Sequence, residues 1–91
     1  MAEGTPVQMR RLEWIGSAKK DLQALPEVVV HVFGYALHLA QTGRKHEQAN
    51  PLRGFGSARV LEVVEDRRGD TYRAVYTVQF AVRVFVLHVF Q

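Results

Sequence analysis

Four histidines (His31, His38, His46, His88) and a set of cations (Arg44, Lys45, Arg53, Arg59, Arg73) are the side chains of this sequence with most chemistry to offer. A metal site is the first chemistry to weigh. His31 and His38 lie seven residues apart, two helical turns or about 10 Å along a helix axis. Two ligands of one zinc ion must converge more closely than that, as in H-x-x-x-H. The chain has no cysteine, which removes thiolate zinc sites, cysteine nucleophiles and disulfides together. Neither G-x-x-x-x-G-K-[ST] nor G-x-G-x-x-G occurs. The short GFGS, Gly54 to Ser57, precedes a strand rather than a helix and is not a phosphate loop. Glu65 and Asp66 sit beside Arg67 and Arg68 as a charged turn.

What remains is a group of cations with one strand histidine, a set suited to phosphodiester chemistry without a metal. RNA carries its own nucleophile, the 2'-OH. A protein can cleave it by orienting that oxygen in line with the phosphorus, taking up its proton, stabilising the phosphoryl oxygens and protonating the departing 5'-oxygen. Arginine suits the middle role because its planar fork of donors is permanently charged. Histidine is the natural acid or base near neutral pH. Each candidate also has a plainer reading. Arg73 can be a cross-strand ion pair with Glu62, His88 an ordinary sheet-face histidine, and Arg53 a solvated loop cation.

These residues need elements to position them. GDTYRAVYTVQF, Gly69 to Phe80, alternates as a strand. Tyr72, Ala74, Tyr76, Val78 and Phe80 are expected on a core face; Thr71, Arg73, Val75, Thr77 and Gln79 face outward. Ala58–Glu65 and Val82–Phe90 flank it as the other strands of a meander, joined on one side by the DRRGD turn. On the third strand, alternation groups Val82, Val84, Val86, His88 and Phe90, opposite Arg83, Phe85, Leu87 and Val89. If each strand turns its more polar set outward, Glu62, Arg73 and His88 share one open face. Val60, Val64, Val75, Val84 and Val86 would share it too. So apolar a face suggests a cover, a partner or a further segment of chain, and is a candidate surface for a homodimer.

Before the meander, Val7–Trp14 reads as a short strand stopped by Gly16. Ser17 is a candidate N-cap for a helix over Ala18–Ala24. Pro26–Thr42 has the β-branched run Val28–Val30 but places Val29, Phe33, Ala36, Leu37 and Ala40 on one helical face, so it is expected to be a helix with Pro26 at its first position. Gly43 should stop it, with Arg44 and Lys45 at the negative end of its dipole. Arg44–Ser57 reads as a basic loop. Helices followed by antiparallel strands predict an α+β fold, a two-helix hairpin on one face of a twisted antiparallel sheet.

Ninety-one residues suffice for one domain with a thin core. The composition, 47% hydrophobic and 23% charged, is that of a folded protein. No stretch approaches the roughly 20 apolar residues of a membrane span, and MAEGTPVQMRR offers no apolar signal region, so a cytoplasmic protein with no membrane contact is expected. A net charge of +3, with Arg44, Lys45, Arg53 and Arg59 close together, favours a polyanionic partner.

The segments LEWIGSAKKDLQALP, HLAQTGRKHEQANPLRGFG, VLEVVED, GDTYRAVYTV and VFVLHVFQ together resemble the HigB branch of the RelE/ParE toxin superfamily, which includes phage-derived host-killing proteins. The resemblance runs from about Leu12 to Gln91 and rests on the ordered set L-[KR]-G, Y-R-x-x-Y and V-L-H-x-F. It implies a RelE-like fold and the toxin of a toxin–antitoxin pair. It further implies a ribosome-dependent, metal-independent mRNA endonuclease needing no cofactor, neutralised by an antitoxin that is often a helix-turn-helix protein. Carried across, Arg53 is the L-[KR]-G cation and Arg73 the Y-R-x-x-Y arginine, both on the scissile phosphate, and His88 is the acid or base. Arg44, Lys45 and Arg59 are added RNA contacts, and Glu62 supports Arg73. Tyr76, the second motif tyrosine, falls on the core face and is structural. The family pattern continues past the equivalent of Gln91 with a basic segment that this sequence does not contain. A non-catalytic or degenerate relative that binds antitoxin, gyrase or nucleic acid is the alternative.

Overall fold

The valine run after Pro26 is helical. The computed structural model describes residues 9–52, 60–79 and 83–91. In it α2 spans Glu27–Gln41 and buries Val29, Phe33, Ala36, Leu37 and Ala40. The amphipathic repeat therefore overrides the strand propensity of three successive valines, because burying a whole helical stripe outweighs a local preference. Pro26 lies just outside, as the N-cap with φ −55° and ψ 145°, one residue earlier than expected. The stop is as read. Gly43 takes φ +85°, its N–H bonds the Ala40 carbonyl at 3.2 Å, and Arg44 N–H bonds the Leu39 carbonyl at 2.7 Å. That pair of bonds is a Schellman motif, which satisfies carbonyls a helix end would otherwise leave open.

The shorter α1 spans Ala18–Gln23 and buries Ala18 and Leu22. Ser17 is its N-cap residue but makes no side-chain cap bond. Its Oγ instead donates to Asp21 Oδ2 at 2.7 Å, so the carboxylate takes the hydroxyl that was expected to cap the backbone. Neither helix is long and apolar enough to cross a membrane.

Five strands form one sheet in the order β1-β5-β4-β3-β2. They are β1 Arg11–Trp14, β2 Ala49–Pro51, β3 Val60–Arg67, β4 Asp70–Gln79 and β5 Arg83–Phe90. The central β3–β4–β5 meander is antiparallel as expected. Two edges differ from the expectation. β1 joins β5 in parallel, Leu12 opposite Val84 and Trp14 opposite Val86, so the sheet is mixed. The parallel pairing is possible because both helices and three strands separate β1 from β5, far more chain than a hairpin. β2 arises within the segment read as loop. Ala49 is buried in the core while Asn50 and Pro51 are exposed, and a proline is tolerated there because an edge strand has one unpaired side.

The core lies between the helices and one sheet face. Phe33 and Tyr76 are its largest wholly buried side chains, and Val63, Ala74, Val84, Val86 and Val89 meet them from the sheet. Burying one such side chain contributes about 1.5–3 kcal/mol. The residue leading into β1 is tied to the end of α2: Arg10 N–H bonds the Gln41 carbonyl at 2.8 Å, Arg10 Nη1 the Ala40 carbonyl at 2.9 Å, and Gln41 Nε2 the Arg10 carbonyl at 3.0 Å.

Candidate functional site on the open sheet face

A bulge in β5 shapes the face opposite the helices. Val75 pairs with His88 and Tyr76 with Val86, so Leu87 is the extra residue. Simple alternation would send Val84, Val86, His88 and Phe90 the same way. The bulge reverses the sense midway. Val84 and Val86 join the core together with Val89, correcting their expected outward placement, and Phe85, His88 and Phe90 share the other face. An inserted residue changes side-chain direction in this way because the pleat has a strict period of two.

Three rows of side chains follow from the register. Glu62, Val75 and His88 form one, Val64, Arg73 and Phe90 a second, and Val60, Thr77 and Phe85 a third. Arg73 therefore stands diagonally between Glu62 on β3 and His88 on β5, with Cα separations of about 7–8 Å to diagonal neighbours. Arg73 Nη1 donates to Glu62 Oε1 at 2.9 Å. The Glu62 side chain is 18% exposed and that of Arg73 40% exposed, so the carboxylate is mostly covered while the guanidinium reaches solvent. The pair holds Arg73 in one orientation with one of its five N–H donors. The planar fork keeps further donors for an oxyanion.

His88 is exposed, and its ring stacks on Phe90 with centroids 4.6 Å apart and planes 28° from parallel. On the same face two valines and a threonine, Val60, Val75 and Thr77, are buried although none belongs to the helix-side core. The face thus presents a fixed cation, an imidazole and a phenyl ring over a mostly apolar floor. That suits binding an anion attached to a flat group.

Among the expected site residues, Glu62, Arg73 and His88 are brought together. Arg53 and Arg59 lie outside the described residues. Arg44 and Lys45 are exposed at the end of α2, in the connection crossing from the helical layer to β2. The other histidines are apart from the face. His31 and His38 are exposed on α2. His46 is buried, its Nδ1 accepting the Gln48 N–H at 3.0 Å and its ring edge-on to Tyr35. Gln48 then reaches across β3, donating to the Val64 carbonyl at 2.7 Å and to Glu65 Oε1 at 2.8 Å. Among the described residues no three His, Asp or Glu side chains form a metal-binding group. Alternation places Phe90 beside His88, as the structure does, but puts Phe85 on the opposite face, whereas the bulge brings it to this one. The signal was hidden because VFVLHVF is apolar at both phases of the alternation, so no periodicity marks the bulge.

This fold is that of the RelE toxins. The isolated E. coli RelE toxin superimposes with a TM-score of 0.67 at 25% identity, covering 90% of this chain and 83% of that one. A chain of the intact E. coli RelBE toxin–antitoxin complex gives 0.63 at 26% identity, over 90% and 95%. A chain of the RelBE2 toxin–antitoxin complex of Mycobacterium tuberculosis, at 21% identity and a TM-score of 0.58 over 91% and 98%, shares the fold. No curated protein sequence matches. Residues 20–91 match the family described as Phage derived protein Gp49-like (DUF891), and the chain belongs to that family within the RelE-like toxin superfamily.

Proposed function

We propose that this protein is the toxin of a toxin–antitoxin pair and cleaves mRNA on the ribosome without a metal or other cofactor. The observation that carries the reading is Arg73, oriented by Glu62 yet open to solvent, diagonal to His88. In the reaction the 2'-oxygen attacks the adjacent phosphorus and loses its proton to a base. The bond to the 5'-oxygen breaks and that oxygen takes a proton, leaving a 2',3'-cyclic phosphate. Arg73 stabilises the phosphoryl oxygens as charge builds on them, and His88 serves as acid or base. Arg53 at the L-[KR]-G position is a second phosphate contact, with Arg44, Lys45 and Arg59 guiding the RNA. The solved toxin–antitoxin complexes of the same fold support an antitoxin as the neutralising partner. Membership of the Gp49-like family supports a phage-derived origin, and we place the protein in a HigB-like branch acting in the cytoplasm.

A second reading is a non-catalytic protein that binds through this face. The Arg73–Glu62 pair and the apolar floor favour it, since both also suit a protein contact. Induction in cells separates the two. The unmodified protein should arrest growth and yield cleaved mRNAs. Arg73→Ala should lower cleavage about 10²–10³-fold, the effect of losing one stabilising donor of developing charge. Arg73→Lys keeps a partner for Glu62 but not the fork and should also be impaired. Growth arrest with intact mRNA, or cleavage unchanged in both variants, would overturn the nuclease reading.

A further inference from the structure

We infer that Phe90, stacked with His88, is a base-stacking platform for the nucleotide whose phosphate Arg73 holds. The inference rests on the proposed phosphate contact of Arg73 and adds a recognition element for the base. Phe90 is the direct cross-strand partner of Arg73, so a ring and a guanidinium stand side by side with Cβ atoms about 4.5–5.5 Å apart. Those are the two halves of nucleotide recognition, a cation for the phosphate and a flat π-face for the base. Phe90 is only half-buried and His88 is exposed, so this pair of rings still presents flat surface to solvent. The two rings stack 28° from parallel with centroids 4.6 Å apart, so each covers one face of the other and leaves only its outward face for a base. The Leu87 bulge creates this arrangement: without the change of phase, a strand with Val84 and Val86 in the core would turn His88 and Phe90 into the core as well. Val60, Val75 and Thr77 on the same face are buried, whereas His88 is exposed and Phe90 half-buried, so the rings are the accessible groups beside Arg73. Stacking tolerates any base, so the platform positions the RNA chain rather than reading its sequence.

The test is binding of fluorescent single-stranded RNA carrying 2'-deoxy sugars, which removes the nucleophile, and of the same oligonucleotides with a single abasic position scanned along them. Phe90→Ala should weaken binding of the intact oligonucleotide about 5- to 150-fold, the range measured for base–aromatic stacking. One abasic position should weaken binding by the unmodified protein and cost nothing further in Phe90→Ala. Phe90→Tyr should bind as the unmodified protein does. Phe90→Leu keeps an apolar side chain for packing without a π-face, and should bind as weakly as Phe90→Ala while melting as the unmodified protein does. Normal binding by Phe90→Leu, or equal abasic penalties in the unmodified protein and Phe90→Ala, would overturn the platform. Arg73→Ala should weaken every oligonucleotide alike. If it does so while the Phe90 variants bind normally, the platform alone fails. If Arg73→Ala binds normally, or the unmodified protein binds the 2'-deoxy RNA neither free nor as mRNA on the ribosome, the phosphate reading fails and the platform with it.

Discussion

Tyr76 is wholly buried, and its hydroxyl has no hydrogen-bond partner among the described residues. Burial pushes its pKa up from 10.0 to about 12, because the phenolate would lose its hydration. The sign of the pH effect follows. Between pH 10 and 12 the unfolded chain ionises this group and the folded chain does not. Stability from Tyr76 is therefore complete below pH 10 and falls by about 1.4 kcal/mol per pH unit up to the folded pKa. Tyr76→Phe removes the orphan hydroxyl with little change of shape. It should match or exceed the unmodified protein in stability by about 1 kcal/mol at pH 7, and its urea midpoint should fall less between pH 10 and 12. A substantially less stable Tyr76→Phe would mean that the hydroxyl has a partner. Arg73 makes the opposite case at this scale, a polar group with a partner and still an accessible face. Spacing alone left it between ion pair and anion site, and the 2.9 Å contact with Glu62 makes the first compatible with the second.

At the scale of elements, legibility tracked how local the cause was. The stripe Val29, Phe33, Ala36, Leu37 and Ala40 makes α2 readable, and DRRGD makes the β3–β4 turn readable, although β3 runs on to Arg67 and the turn itself is only Arg68-Gly69. The parallel pairing of β1, the strand at Ala49–Pro51 and the Leu87 bulge depend on contacts between distant segments, which no window of sequence contains. Two glycines show how element context sets the sign of one substitution. Arg68 and Gly69 have φ +51° and +87°, the two positive angles of a tight hairpin turn. Gly34 lies inside α2 without such an angle, and at both glycines an added Cβ would meet nothing within 4 Å. Gly69→Ala should therefore destabilise by about 1–2 kcal/mol. Gly34→Ala should stabilise by about 0.5–1 kcal/mol, through helix propensity. In a chain of this size each kcal/mol shifts Tm by about 4–8 °C, so thermal melts will resolve both. Melts moving in the same direction would contradict the argument.

For the whole molecule, the question is whether its net charge of +3 is directed at RNA or only serves the fold. Arg44 and Lys45 allow a clean separation. Their backbone closes α2, and the bond from Arg44 N–H to the Leu39 carbonyl survives any side-chain change. Their charges near the helix C-terminus contribute about 0.3–1 kcal/mol each to stability. If they also sit on phosphates, each contributes a released counterion to binding. For single-stranded nucleic acid the slope of log K against log salt is about 0.7 per phosphate contact. The double variant Arg44→Gln, Lys45→Gln should then fold normally, bind RNA more weakly at low salt, and show a slope shallower by about 1.4. The difference from the unmodified protein should shrink as salt rises, because added salt removes the gain from counterion release. Binding by Phe90→Leu should keep the full slope, since stacking releases no counterions. An unchanged slope in the double variant would assign these two cations to the end of α2 alone and leave the phosphate contacts to the sheet face around Arg73.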